Sequence, residues 1–198
     1  MRSYNRNIFA TISASNHTDT VRQGQDYYAT DPVAIDKLLK VTKPYHVIWE
    51  CACGGGHLTK RLQQYGYTVY SSDIVDRGCI GFQRIDFLQT QKTINDIVDF
   101  DIITNPPYVL AKAFVLKALS LLSPGRKVYM FLKLTFLEGK QRYWEIYRKY
   151  PPKCVYVFSE RVICARDGKF EEYTSSAVAY AWFEWEKGYK GETTIKWI

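Results

Sequence analysis

The sequence predicts an α/β fold, a mostly parallel sheet with helices on both faces. Three observations carry this. Short apolar strand candidates alternate with segments of helical spacing. One strand ends in an acid, then three consecutive glycines, then a helix. A later strand ends in Asn105-Pro106-Pro107-Tyr108, where two prolines stop strand pairing and stiffen the chain.

The elements follow in order. Residues 1–25 are rich in Asn, Ser, Thr and Arg without a hydrophobic period. They read as a mobile arm or as an ordered strap over the domain. Residues 26–198 form a single domain. Asp31-Pro32 starts a helix through Val33, Ile35, Leu38 and Leu39. Val47-Ile48-Trp49 is a buried strand running into Glu50-Cys51-Ala52-Cys53-Gly54-Gly55-Gly56. The next helix passes through Leu58, Leu62 and Tyr65 and ends at Gly66. Thr68 to Ser72 is a second strand, closing on Asp73, and Asp101 to Thr104 is another, closing on Asn105. Phe114, Leu116, Leu119 and Leu122 mark a helix stopped by Pro124-Gly125. Lys127 to Leu132 is a strand and Gly139 to Tyr150 is helical. Val155 to Phe158 and Ala177 to Phe183 are the last two strands.

Composition narrows the class. The 198 residues are 46% hydrophobic and 24% charged, an ordinary balance for one globular domain with a proper core. No apolar run approaches the roughly 20 residues that cross a bilayer. The polar N-terminus lacks the apolar stretch of a secretory signal, so a cytoplasmic protein is expected. Five cysteines, an odd number, read as free thiols. Cys51 and Cys53 read as packing residues and not as metal ligands, because a second ligand pair is missing. His46 and His57 read as packing or cap residues. The net charge of +7 favours a polyanionic partner.

Two segments carry chemistry. Gly54 and Gly56 let the backbone turn sharply and approach a ligand closely. Asp73, at the tip of the next strand, offers a carboxylate suited to a vicinal diol. A plain strand-turn-helix with an exposed Asp is the alternative for this segment. In Asn105-Pro106-Pro107-Tyr108, the Asn105 side-chain oxygen and the Pro106 carbonyl can both accept hydrogen bonds from an amino group, and proline brings no competing N–H. Tyr108 adds an aromatic face for a planar base or amide. A structural Pro-Pro turn is the alternative here.

The order of glycine loop, acid and Asn-Pro-Pro-Tyr resembles the adenine-N6 DNA methyltransferases over roughly residues 26 to 185. The stretch Phe-Leu-Glu-Gly-Lys-Gln-Arg from Phe136 to Arg142 resembles small phage-encoded members. The resemblance implies a Rossmann-like class I methyltransferase fold with a seven-stranded sheet. It implies S-adenosyl-L-methionine as cofactor, no metal, and methyl transfer to the adenine N6 amino group in DNA. By the same resemblance, the segment Asp26 to Pro32, with Tyr27, Tyr28 and Thr30, covers the methionine end of the cofactor. Glu50, Ala52, Cys53, Gly54 and Gly56 form the cofactor loop. Asp73, followed by Ile74, matches the ribose acid, and Asp86-Phe87 the pair that reads the cofactor adenine. Asn105 belongs to cofactor site and catalytic loop alike, with Pro106, Pro107 and Tyr108. Phe158 stacks on the extruded base.

The chain departs from that pattern in one respect that matters. Family members reading a defined sequence carry a separate target-recognition region, and the catalytic fold uses nearly the whole chain. Either loops such as Gly139 to Pro152 read DNA, or sequence preference is weak, or a dimer or partner subunit supplies it. Lys140, Arg142, Arg148 and Lys149, interleaved with Tyr143, Trp144, Tyr147 and Tyr150, suit phosphate contacts with stacking. An amphipathic helix whose aromatics face the core explains them equally, and opposite faces could serve each purpose. Arg161, Arg166 and Lys169 form a second basic cluster. RNA, or a glutamine side chain in a protein, is the alternative substrate. The usual N-terminal helical region of the glutamine methyltransferases has no counterpart in the 25 polar residues.

Overall fold

The computed structural model describes residues 27–91 and 99–198. The N-terminal arm, 1–25, and Asp26 of the expected covering segment lie outside the described residues. No helix among the described residues is long and apolar enough to cross a membrane.

Among the described residues, ten strands form two sheets. The main sheet has eight: β2 (Val47–Glu50), β3 (Thr68–Asp73), β4 (Phe82–Arg84), β5 (Asp101–Thr104), β6 (Lys127–Lys133), β7 (Cys154–Val157), β9 (Tyr180–Glu186) and β10 (Thr194–Trp197). Their spatial order is β10-β7-β9-β6-β5-β2-β3-β4. Among the described strands of this sheet, only β9 runs antiparallel to its neighbours, β6 and β7. The remaining two strands, β1 (Tyr28–Thr30) and β8 (Cys164–Arg166), pair antiparallel in a separate ribbon, with Thr30 opposite Cys164.

Strand alternation explains how the layers stack. Successive side chains point to opposite faces, and both faces here are covered, so the middle residues of the central strands are apolar on both sides. Trp49, Ile102, Val128 and Met130 pack on one face with Phe114, Val115 and Ala118 of α3 (Ala111–Leu121). Their neighbours Ile48, Ile103, Tyr129 and Phe131 pack on the other. There they meet Ile35 and Leu38 of α1 (Val33–Leu39) and Leu58 and Leu62 of α2 (His57–Gln64).

Two expectations are corrected and a third is narrowed. The sheet has eight strands instead of seven, the addition being β10, parallel to β7 at the edge. The last central strand is Tyr180–Glu186 and not Ala177 to Phe183. It continues through charged residues because Glu184 is held by the Tyr156 hydroxyl at 2.6 Å and by Lys127 at 3.0 Å, while Glu186 pairs with Lys153 at 2.6 Å. The segment from Gly139 to Tyr150 is helical as expected but shorter and of mixed type: α4 (Lys140–Arg142) runs directly into a π-helical turn at Tyr143–Tyr147.

Candidate active site

The two loops singled out in the sequence are neighbours. β2 delivers the glycine loop, β3 delivers Asp73, and β5 delivers Asn105. Chain order runs from β2 outward through β3 and β4 on one side, then resumes on the other with β5 and β6. The reversal falls between β2 and β5, where open α/β sheets bind ligands.

The glycine loop is built by positive φ angles, +51° at Gly54 and +78° at Gly56, which only glycine adopts without strain. Space demands glycine too. A Cβ on Gly56 would come within 2.7 Å of Cys79 Sγ, and one on Gly54 would collide with the Tyr27 ring. Tyr27 lies directly on the loop. Its hydroxyl accepts the Gly55 N–H at 2.8 Å and bonds His57 Nδ1 at 3.1 Å, and the Arg77 guanidinium sits 4.9 Å over its ring. Burial holds the Tyr27 hydroxyl above its ordinary pKa and His57 below its own, which favours the neutral form of both partners.

Asp73 closes the loop from the side. One carboxylate oxygen accepts the Gly54 N–H at 2.9 Å; the other accepts the Val75 N–H at 3.2 Å and lies 3.6 Å from Arg77. A carboxylate has about four acceptor positions, so capacity for a diol remains. Ile74 beside it is 51% exposed and offers an apolar surface. Glu50 sits beneath the loop, fully buried, where it accepts the Thr59 hydroxyl, which in turn bonds Ser71 at 2.7 Å. Burial pushes the Glu50 carboxyl well above the usual carboxylate range. Its place is a tie between strand tip and α2. Ala52 is half-buried, and Cys53 is buried with its N–H on the Ser72 carbonyl at 3.0 Å.

The Asp86-Phe87 pair divides. Asp86 is exposed and accepts the Leu88 N–H at 3.0 Å. Phe87 corrects an expectation: instead of facing a cofactor ring, it is 2% exposed and packed in the core against Trp49 at 5.2 Å and Phe114 at 5.0 Å. An apolar ring directly after a turn finds its best partners in the helix and strand behind it.

The second loop carries the clearest signal. The Asn105 side-chain NH₂ donates to the Tyr28 carbonyl at 3.0 Å and to Cys164 Sγ at 3.7 Å. Its oxygen, Oδ1, is buried with no partner among the described residues. Pro106 is buried and Pro107 exposed. The Tyr108 hydroxyl lies 3.3 Å from Cys164 Sγ, and its ring stacks on Tyr180 at 5.9 Å. Tyr180 stacks on Phe131 at 4.8 Å, and Phe131 meets Phe158 at 5.8 Å. An aromatic ladder thus joins Tyr108 to Phe158, two residues far apart in sequence. Tyr28 and Thr30, of the expected covering segment, stand in β1 above this loop. Thr30 is buried, and its hydroxyl likewise has no partner among the described residues.

The basic segment splits as its two faces allow. Ile146 is buried and the Tyr147 hydroxyl donates to the Phe136 carbonyl, so this side is core. Tyr143 and Trp144 are about half exposed, and Arg148 lies 4.8 Å over the Trp144 ring. Lys140 and Lys149 are exposed. Arg142 is a correction: its guanidinium is not presented to phosphate but donates to the carbonyls of Phe136, Thr135 and Glu138, bracing the turn before α4. Together with Tyr108, Lys133 and Phe136 it lines a cavity of about 120 Å³. Sequence reading missed Arg77, Tyr180 and Cys164. Each stands outside the recognised motifs, and only the fold brings it to them.

No family model matches the chain, and no curated protein matches it. Solved structures do. A presumed class I S-adenosylmethionine-dependent methyltransferase from Listeria monocytogenes aligns with 84% of this chain and 62% of its own, with a TM-score of 0.55 and 13% identity. A modification subunit of a presumed type I restriction enzyme from Vibrio vulnificus aligns with 88% of this chain and 46% of its own, with a TM-score of 0.56 and 13% identity. The 1,6-didemethyltoxoflavin-N1-methyltransferase of Burkholderia thailandensis, solved with its substrate and S-adenosylhomocysteine, aligns with 79% of this chain and 76% of its own, with a TM-score of 0.51 and 13% identity. The chain therefore spans less than two thirds of the first two structures it resembles. Its fold is that of the class I methyltransferases.

Proposed function

We propose that this protein is an S-adenosylmethionine-dependent methyltransferase acting on the N6 amino group of adenine in DNA. The observation that carries the reading is Asn105 Oδ1, a buried acceptor without a donor among the described residues, on a side chain whose NH₂ is held by the Tyr28 carbonyl. A buried unpaired acceptor costs roughly 1–3 kcal/mol, and a target amine supplies the missing N–H.

The residues present fit the cofactor. Gly54 and Gly56 bring backbone close to a ligand, Asp73 retains acceptor capacity for ribose hydroxyls, and exposed Ile74 and Asp86 flank it. The cofactor supplies an electrophilic methyl carbon on a sulfonium sulfur. The protein's own residues do the rest by position. Asn105 Oδ1 and the Pro106 carbonyl accept the two amine hydrogens, leaving the nitrogen lone pair free. Tyr108 and Phe158, joined through Tyr180 and Phe131, present ring surface for a flat base. No strong base is needed, since the amine loses its proton after it has formed the new bond. Orientation and exclusion of water are the main contributions to rate.

Nucleic acid is favoured by the net charge of +7 and by the exposed Tyr143, Trp144 and Arg148. Extruding the base from a duplex costs a few kcal/mol, which those contacts offset. The test is to incubate the protein with radiolabelled cofactor and DNA, RNA or a release-factor protein in turn, then digest and identify the product. Label in N6-methyladenine from DNA is expected. Label confined to RNA or to glutamine would overturn the substrate assignment, and no transfer to any of them would overturn the activity.

A further inference from the structure

Asn105 works as an acceptor only if its amide points the right way, and an amide can flip. Oxygen and nitrogen are decided by the partners around them. Here the partners are two: the Tyr28 carbonyl at 3.0 Å and Cys164 Sγ at 3.7 Å. A flipped amide would set its oxygen against the carbonyl oxygen of Tyr28, two acceptors facing with no proton between them. It would also lose the N–H that the sulfur receives. Both partners belong to one structure, the β1–β8 ribbon, in which Thr30 and Cys164 are paired.

Cys164 does a second thing. Its sulfur lies 3.3 Å from the Tyr108 hydroxyl, so the same atom touches the first and last residues of Asn105-Pro106-Pro107-Tyr108. The thiol is buried, and burial holds it above the ordinary cysteine range, so it stays neutral. A neutral thiol has one S–H to donate and lone pairs to accept. It accepts from Asn105 and can donate to the Tyr108 oxygen.

We infer that Cys164 is a positioning residue for methyl transfer: it fixes the Asn105 amide with its oxygen toward the target amine and pins the Tyr108 ring beside it. This rests on the function proposed above. It adds a residue that no motif marks, held by a ribbon outside the main sheet.

Three variants test it. Cys164→Ala removes the sulfur, Cys164→Ser keeps a donor and acceptor of similar size, and Tyr108→Phe removes the other end of the contact. Sulfur hydrogen bonds are at the weak end of the range, so Cys164→Ala should lower kcat about five- to tenfold, with KM for cofactor and DNA nearly unchanged. Cys164→Ser should recover most of the loss. In the Tyr108→Phe background, Cys164→Ala should cost less than in the parent, because part of the contact is already gone. A kcat of Cys164→Ala equal to that of the parent would overturn the inference, as would Cys164→Ser being no better than Cys164→Ala.

A readout independent of activity separates this inference from the proposed function. In ¹⁵N-resolved NMR spectra, the Asn105 side-chain NH₂ of the parent should be protected from hydrogen exchange and slow to rotate. Cys164→Ala should lose that protection at least in part. If the parent methylates nothing but the amide signal responds in this way, the function assignment fails and only the fixing of the Asn105 amide by Cys164 stands. If methylation is present and the amide signal ignores Cys164, the positioning role fails alone.

Discussion

The two loops that meet at the switch in strand order are built on opposite plans. In the glycine loop the protein satisfies its own polar groups: Gly54 N–H on Asp73, Gly55 N–H on Tyr27, and the Thr59 hydroxyl on Glu50. It is a finished structure whose remaining offers are spare carboxylate capacity and an exposed apolar neighbour. In the Asn-Pro-Pro-Tyr loop the Asn105 amide nitrogen and the Tyr108 hydroxyl are held, while Asn105 Oδ1 is buried without a partner among the described residues. The difference teaches where to look for binding and where to look for chemistry. A loop satisfied by itself binds a ligand by shape and spare valence. A loop with one orphaned acceptor waits for a particular donor.

Mutations can break that contrast, and the largest effect belongs to the second loop. Asn105→Ala should slow methyl transfer by on the order of a hundredfold or more, as losing one well-placed polar group does in preorganised sites. Tyr108→Ala should follow, with Tyr108→Phe milder, because stacking needs the ring. Next comes the first loop. Asp73→Ala should weaken cofactor binding about tenfold or more, since charge-assisted hydrogen bonds contribute roughly 1.5–3 kcal/mol. Calorimetric titration reads this directly. Unchanged affinity in a folded variant would remove Asp73 from the site.

Smaller effects sharpen the picture at the surface. Trp144→Ala should weaken DNA binding about fivefold or more, as expected for loss of one stacking platform. Arg148→Ala should reduce the slope of log affinity against log salt by about 1. Arg142→Ala should leave that slope alone, because Arg142 braces a turn. Binding isotherms at several salt concentrations distinguish the two arginines, and equal slopes would erase the distinction drawn between them.

The smallest effect concerns the finished loop itself. Folding raises the Glu50 carboxyl, so the folded state holds that proton more tightly than the unfolded chain does. Its contribution is full below the ordinary glutamate range near pH 4 and is lost as pH rises through the raised folded value. Glu50→Gln keeps an acceptor for Thr59 and removes the loss. Its Tm should exceed the parent's at pH 8, by roughly 2–4 °C per kcal/mol for a chain of this size, and should match it near pH 4. A lower Tm at every pH would mean the carboxyl itself is needed.

What the sequence disclosed follows from what it encodes locally. Gly54, Asp73 and Asn105 were legible because turn chemistry and strand ends leave marks on neighbouring residues. The order of β2, α2, β3 and β5 was legible because helices and buried strands have different periods. β10 was not, since Thr194–Trp197 is exposed along its length and its role as an edge strand depends on β7. Glu184 and Glu186 argued against a strand until Tyr156, Lys127 and Lys153 were placed beside them. Phe87 and Arg142 were misread because residue type alone cannot tell a ring facing a ligand from one in the core, or a free guanidinium from one bracing carbonyls. Cys164 left no mark at all: its meaning comes from two partners more than 50 residues away.

The central claim is that Asn105 holds the amine during transfer and the glycine loop holds the cofactor before it. One measurement separates these: single-turnover rates for the parent and Asn105→Ala, with cofactor and DNA both saturating and their affinities determined on the same samples. The account predicts a rate lower by about a hundredfold or more with both affinities nearly unchanged, because the lost contact strengthens only as the nitrogen gains charge. Transfer by Asn105→Ala at close to the parent rate would make the Asn-Pro-Pro-Tyr segment a structural turn and contradict the account.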